Sequence, residues 1–142
     1  MFYGAEVFNW PLEKWDTKNV VSMSGMFRGA KRFNQPIESW DTQSVRNMSF
    51  MFYGASSFNQ SLSAWNTESV ISFHNMFSHA TAFNQSLVGW RLCEFNSVDA
   101  RSMFVGATSL KHVPTLVRFA PTESVSIHGW HSDTTELQSG AH

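Results

Sequence analysis

The chain is predicted to be an α/β repeat solenoid, and three observations predict it. Met-Phe pairs recur at 1–2, 26–27, 51–52 and 76–77, a constant spacing of 25 residues. Each pair is followed at fixed distances by Ala5, Ala30, Ala55 and Ala80, then by Phe8-Asn9, Phe33-Asn34, Phe58-Asn59 and Phe83-Asn84. Between these anchors the apolar residues switch from a helical spacing to strict alternation. A fixed period of about 20–50 residues signals stacked supersecondary units, none of which can bury its apolar face alone.

Within one unit the elements follow in order. Val45, Met48, Met51, Phe52 and Ala55 lie at intervals of three, three, one and three, which predicts a helix or an irregular turn. Ser44 is placed to cap it and Gly54 to loosen or end it. Phe58, Gln60 and Leu62 alternate at period two and predict a short parallel strand. Trp65 and an Asn66-Thr67 turn then lead into the next unit. One strand plus one helix or turn per unit is a leucine-rich-repeat-like coil.

The repeat decays toward the C-terminus. Met103-Phe104 arrives 27 residues after Met76-Phe77, while Gly106-Ala107 and Leu110 still match the pattern. Residues 1–110 are therefore expected to form a solenoid of about four and a half repeats. Residues 111–142 read as a degenerate C-terminal cap, with Val113, Leu116, Val117 and Phe119 in a closing strand, and a disordered polar tail.

Repetition also sorts the side chains into ladders. Trp15, Trp40, Trp65 and Trp90 occupy one position of the unit and are expected to stack, as are the four Phe before Asn. Asn9, Asn34, Asn59 and Asn84 are costly to bury unless bonded, so they read as a ladder of amides joined to the backbone of adjacent coils. Position ten of each unit holds Trp10, Gln35, Gln60 and Gln85. If the strand alternates, these residues point outward and form the candidate binding face.

Composition narrows the function. Ten Lys and Arg against 11 Asp and Glu leave a net charge of −1, which supplies no field for nucleic acid or an anionic membrane surface. Arg28, Lys31, Arg32 and Arg46 make the second unit locally basic and read as a solvated face. No apolar run approaches the roughly 18 residues of a membrane span, so direct membrane insertion is not expected. The start of the chain carries no secretory signal, and Met1 coincides with the Met of the repeat. It therefore reads as a fragment, or as a chain begun at an internal Met.

Nothing in the sequence calls for catalysis, a metal or a cofactor. The lone Cys93 excludes an internal disulfide framework and reads as a buried, inert thiol. His128 and His131, with Asp133, fall short of the three or four converging ligands that zinc needs. His74 and His79 read as substitutions at exposed repeat positions. Asp16 and Asp41 sit at equivalent places, as paired acid–base carboxylates would, but Asn66 and Arg91 follow at the same position. An Asx-Thr turn is the better reading.

The string Met-Phe-x-Gly-Ala-x-x-Phe-Asn-Gln-x-Leu-x-x-Trp-Asp-Thr-x-x-Val-x-x-Met resembles the BspA-like leucine-rich-repeat surface proteins, over residues 1 to about 110. The resemblance implies a leucine-rich-repeat-like solenoid at the cell surface or outside the cell, acting in adhesion or protein binding. It offers no catalytic residues to carry over. The chain departs from the pattern in lacking a signal or lipid anchor, in having His79 where Gly is expected, and in its tail. The expected function is a non-enzymatic protein-interaction or adhesion module, part of a larger surface or secreted repeat protein, with a protein or cell-surface ligand as partner. A structural spacer, or a non-functional remnant of a longer repeat gene, is the alternative.

Overall fold

In the Met-Phe segment of each unit, alternate backbone N–H groups leave the unit and bond the next one. From Met48, Phe50, Phe52 and Gly54 they reach the carbonyls of Ser72, His74, Met76 and Ser78, at 2.8–2.9 Å. The N–H groups between them stay local: Met51, Tyr53 and Ala55 donate to Met48, Phe50 and Phe52, three residues back, at 3.0–3.2 Å. These contacts come from a computed structural model that describes residues 1–93 and 96–111 together with the Val117–Arg118 strand.

The α/β solenoid that the sequence predicts is not what the chain forms. Among the described residues there is no helix, and the backbone is mostly irregular turns. The named strands are β1 (Arg91–Leu92) and β2 (Val117–Arg118), two residues each and paired in parallel. Isolated parallel bridges join Ser22 to Asn47, Asn47 to Ser72 and Ser72 to Asp99. The segment 58–62 contains no strand, so the leucine-rich-repeat-like coil is overturned along with the helix.

The physical reason lies in the backbone bonds. An α-helix needs N–H groups bonded four residues back, whereas here they close three-residue turns or cross to the next unit. Left-handed residues enforce this. Phe50 has φ 56° and Gly54 has φ 68°, so a right-handed helix cannot run through them. Gly25 and Gly29 hold the same places in unit 2, and Asn75 and His79 in unit 4. The apolar stripe was nevertheless a true guide to burial: Val45, Met48, Met51, Phe52 and Ala55 are all fully buried.

Aromatic columns make up the core. Phe27, Phe52, Phe77 and Phe104 stack with ring centroids 5.4–5.7 Å apart. Phe33, Phe58 and Phe83 form a second column at 5.8–6.1 Å. Within a unit the two columns touch, as Phe52 does Phe58 at 4.1 Å. The indoles of Trp15, Trp40, Trp65 and Trp90 form a third column at 6.3–6.5 Å. Each ring removes on the order of 150–250 Å² from water, so these columns dominate the burial. In unit 1, Phe2 and Phe8 are partly buried and Trp15 is 40% exposed.

Of the segment 111–142, only Lys111 and the Val117–Arg118 pairing are described. The rest of the expected cap, the polar tail and the His128, His131 and Asp133 group lie outside the described residues.

Candidate functional site

Position ten and the Asn before it lie together along one side of the stack. The Oδ1 of Asn9 accepts from the backbone N–H of Asn34 at 2.9 Å and from the Nε2 of Gln35 at 3.0 Å. Gln35 Nε2 also donates to the Asn9 carbonyl at 3.0 Å. The set repeats between Asn34, Asn59 and Gln60, and between Asn59, Asn84 and Gln85. At the far end the Lys111 N–H takes the place of the next Asn on Asn84 Oδ1, at 3.1 Å.

The Gln side chains are therefore tied to the scaffold through Nε2, while each Oε1 has no partner among the described residues. The Nδ2 groups of the four Asn are likewise unused by described residues. Trp10, at the head of the row, is 72% exposed. The row is a regular series of amide donors and acceptors, one set per unit, ending in an indole.

The neighbouring ladders close the remaining polar groups. Trp40, Trp65 and Trp90 donate Nε1–H to the carbonyls of Leu12, Ile37 and Leu62 at 2.8–3.0 Å. Buried Thr17, Thr42 and Thr67 donate Oγ1–H to the carbonyls of Asp41, Asn66 and Arg91 in the following unit. The carboxylates of Asp16 and Asp41 each accept from the N–H two residues on, at Lys18 and Gln43, the geometry of an Asx turn.

Among the described residues, no group of three or more His, Cys, Asp or Glu is placed to hold a metal ion. Cys93 is buried, with Asn96 Nδ2 at 3.5 Å from its sulfur. His74 Nδ1 lies 3.1 Å from the Arg101 carbonyl and its Nε2 lies 2.9 Å from Asn75 Nδ2. His79 is exposed, its ring edge-on to Tyr53 at 5.4 Å.

Two carboxyls titrate below their ordinary range. Hydrogen bonds from the hydroxyls of Ser61 and Ser63, both 2.8 Å long, lower Glu38. Asp99 is lowered chiefly by the side chain of Arg101, whose Nε and Nη2 each donate at 2.9 Å. The Glu38 arrangement lies in a surface turn, and the Asp99 one at the bridge to Ser72. A cleft of about 270 Å³ opens in the first units between Met1, Trp15, Val20 and Met26.

One cluster was not legible in the sequence. The guanidinium of Arg28 lies over three rings from the units on either side of it: Phe50 at 4.8 Å and Tyr53 at 5.0 Å in the next unit, and Tyr3 at 5.4 Å in the first. Tyr3, Arg28 and Tyr53 share a position of the repeat, which is the only signal that the sequence carries for it.

Fold and site together define a repeat protein whose 25-residue units are joined by aromatic columns and a bonded amide row. The chain belongs to the family described as Mycoplasma protein of unknown function, DUF285, whose model matches residues 1–116. No curated protein and no solved structure matches it.

Proposed function

We propose that the chain is a non-enzymatic protein-interaction module that uses the amide row as its contact face. One observation carries this reading. Gln35, Gln60 and Gln85 are held by Nε2 and their Oε1 has no partner among the described residues, so a partner meets acceptors already fixed in place. Prefixed groups lose less freedom on binding, which favours affinity. Trp10 adds the exposed aromatic surface that interface hot spots favour.

The scaffold supports this use. Residues repeated in every unit are mostly buried, while those that differ between units, such as Glu13-Lys14 and Ser63-Ala64, face solvent. A constant core with variable outer positions suits recognition more than turnover. The resemblance to BspA-like surface proteins adds adhesion and a cell-surface or extracellular setting to the proposal, with a protein or cell-surface ligand as partner.

The test is binding of the purified chain to a panel of purified extracellular proteins. Saturable binding to a panel member should weaken at least about tenfold in Trp10→Ala, with the melting temperature unchanged. Binding that persists equally in Trp10→Ala and in Gln60→Ala removes the amide row from the contact face.

A further inference from the structure

We propose that Arg28, set among Tyr3, Phe50 and Tyr53, is a docking point for a carboxylate side chain on an acidic segment of a protein partner. The proposal rests on the interaction-module reading and gives it a second, chemically distinct contact.

The first observation is the state of the guanidinium. Its carbon lies 4.8–5.4 Å from three ring centroids, within cation–π range of each. None of its side-chain N–H groups has a partner among the described residues, and no described carboxylate lies within ion-pair distance. Lys31, three residues on, is spent differently, since it pairs with Glu6 at 2.9 Å. Rings attract the cation without using its N–H groups, so the planar fork remains free for a bidentate acceptor.

The second observation is the backbone beneath it. Phe50 has φ 56°, a left-handed conformation that is a genuine outlier for a bulky side chain. The equivalent residue in unit 2 is Gly25, which adopts the same conformation without strain. A ring therefore sits where glycine would be easier for the fold, and it is the ring nearest Arg28. Asn75 and Ser102 hold the same left-handed conformation in the later units, so the repeat sets the backbone and the bulky ring is what sets this unit apart. The Phe50 ring is itself braced edge-on by His74 at 5.2 Å and by the tilted ring of Tyr53 at 5.7 Å.

Charge and shape select the occupant. Arg28 is the one cation over these rings among the described residues. A single guanidinium matches the single charge and planar fork of a carboxylate, whereas phosphate recognition uses clusters of Arg. The apolar ring faces suit a segment in which acidic and apolar side chains alternate. Tyr3, 66% exposed, leaves the approach open.

The experiment is an NMR titration of the labelled full chain with three probes: an end-capped hexapeptide alternating Glu and Phe, its Gln counterpart, and inorganic phosphate. The Glu peptide should shift the Arg28 Nε–H and the rings of Tyr3, Phe50 and Tyr53 saturably, and bind at least about tenfold more tightly than the Gln peptide. Arg28→Gln should abolish that preference. Phe50→Gly relieves the strained backbone, so it should keep or raise the melting temperature while weakening the Glu peptide. Equal binding of the Glu and Gln peptides, tighter binding of phosphate, or unchanged affinity in both variants overturns the proposal. Loss of partner binding in Trp10→Ala but not in Arg28→Gln also overturns it, while leaving the interaction module standing.

Discussion

Trp65 donates its indole N–H to the carbonyl of Ile37, 28 residues earlier, at 3.0 Å. The same side chain that fills the core thus also holds two units in register. Trp40 does this to Leu12 and Trp90 to Leu62, so each indole is both packing and a bonded tie. Trp15 remains partly exposed.

From this pairing, Trp40→Ala should destabilise the chain by about 3–5 kcal/mol, as truncation of a buried large aromatic does. Trp15→Ala should cost clearly less, because its ring is 40% exposed and its N–H has no partner among the described residues. Urea unfolding of both variants checks this. Equal losses would show that the indole column does not carry stability unit by unit.

The amide row makes a second prediction. Asn59 Oδ1 accepts both the Asn84 N–H at 2.9 Å and Gln85 Nε2 at 3.0 Å. Asn59→Ala removes that acceptor and leaves the Asn84 N–H unpaired, while Gln85 Nε2 keeps the Asn59 carbonyl at 3.2 Å, a loss of roughly 1–3 kcal/mol. Gln85→Ala, which strands no backbone N–H, should cost less. Comparing the two by thermal unfolding separates the backbone contact from the amide contact.

Gly106 and His79 form a coupled pair. A Cβ on Gly106 would lie 2.5 Å from His79 Nδ1, and Gly106 has φ 72°. Gly106→Ala should therefore be destabilising twice over, by about 1–2 kcal/mol for the left-handed alanine and further for the displaced ring. His79→Gly removes the ring and restores the glycine of the repeat. A double-mutant cycle should then return a coupling energy of about 0.5–3 kcal/mol, the double variant being better than the sum of the singles. Additive losses would mean that the ring moves aside freely.

Glu38 supplies a pH dependence. Its carboxyl is held below the ordinary value by the Ser61 and Ser63 hydroxyls. A lowered folded-state pKa adds stability above the unfolded value of 4.5, and that stability is lost as pH falls through the folded value. Glu38→Gln lacks the contribution at every pH. The melting-temperature gap between the native chain and this variant should be present at about pH 6 and shrink by about pH 3. A gap that widens in acid would reverse the assignment.

Legibility differed between the core and the site. Phe33, Phe58, Trp40 and Trp65 are found in the core because large apolar residues at one position of a repeat have nowhere else to go. The backbone around them was misread, since intervals of three, three, one and three fit a helix and fit turns punctuated by left-handed residues equally well. Gly54 was a signal of the latter, but Phe50 carries no such mark. Gln60 shows the same limit: alternation placed it on a strand, whereas its amide bonds Asn34 across units. The Arg28 cluster takes Tyr3 from one unit and Phe50 and Tyr53 from another, and no window of local sequence brings both to Arg28.

By itself, the sequence determined the 25-residue period and the residues that fill the core, because hydrophobic burial depends on side-chain size and polarity at repeated places. Only the tertiary structure decided the backbone path and the use of each polar group. A backbone N–H must find an acceptor, and whether it does so within a turn or on the next unit depends on what lies beside it. At Met48, Phe50, Phe52 and Gly54 the neighbouring unit supplies that acceptor, and the helix gives way to the stack.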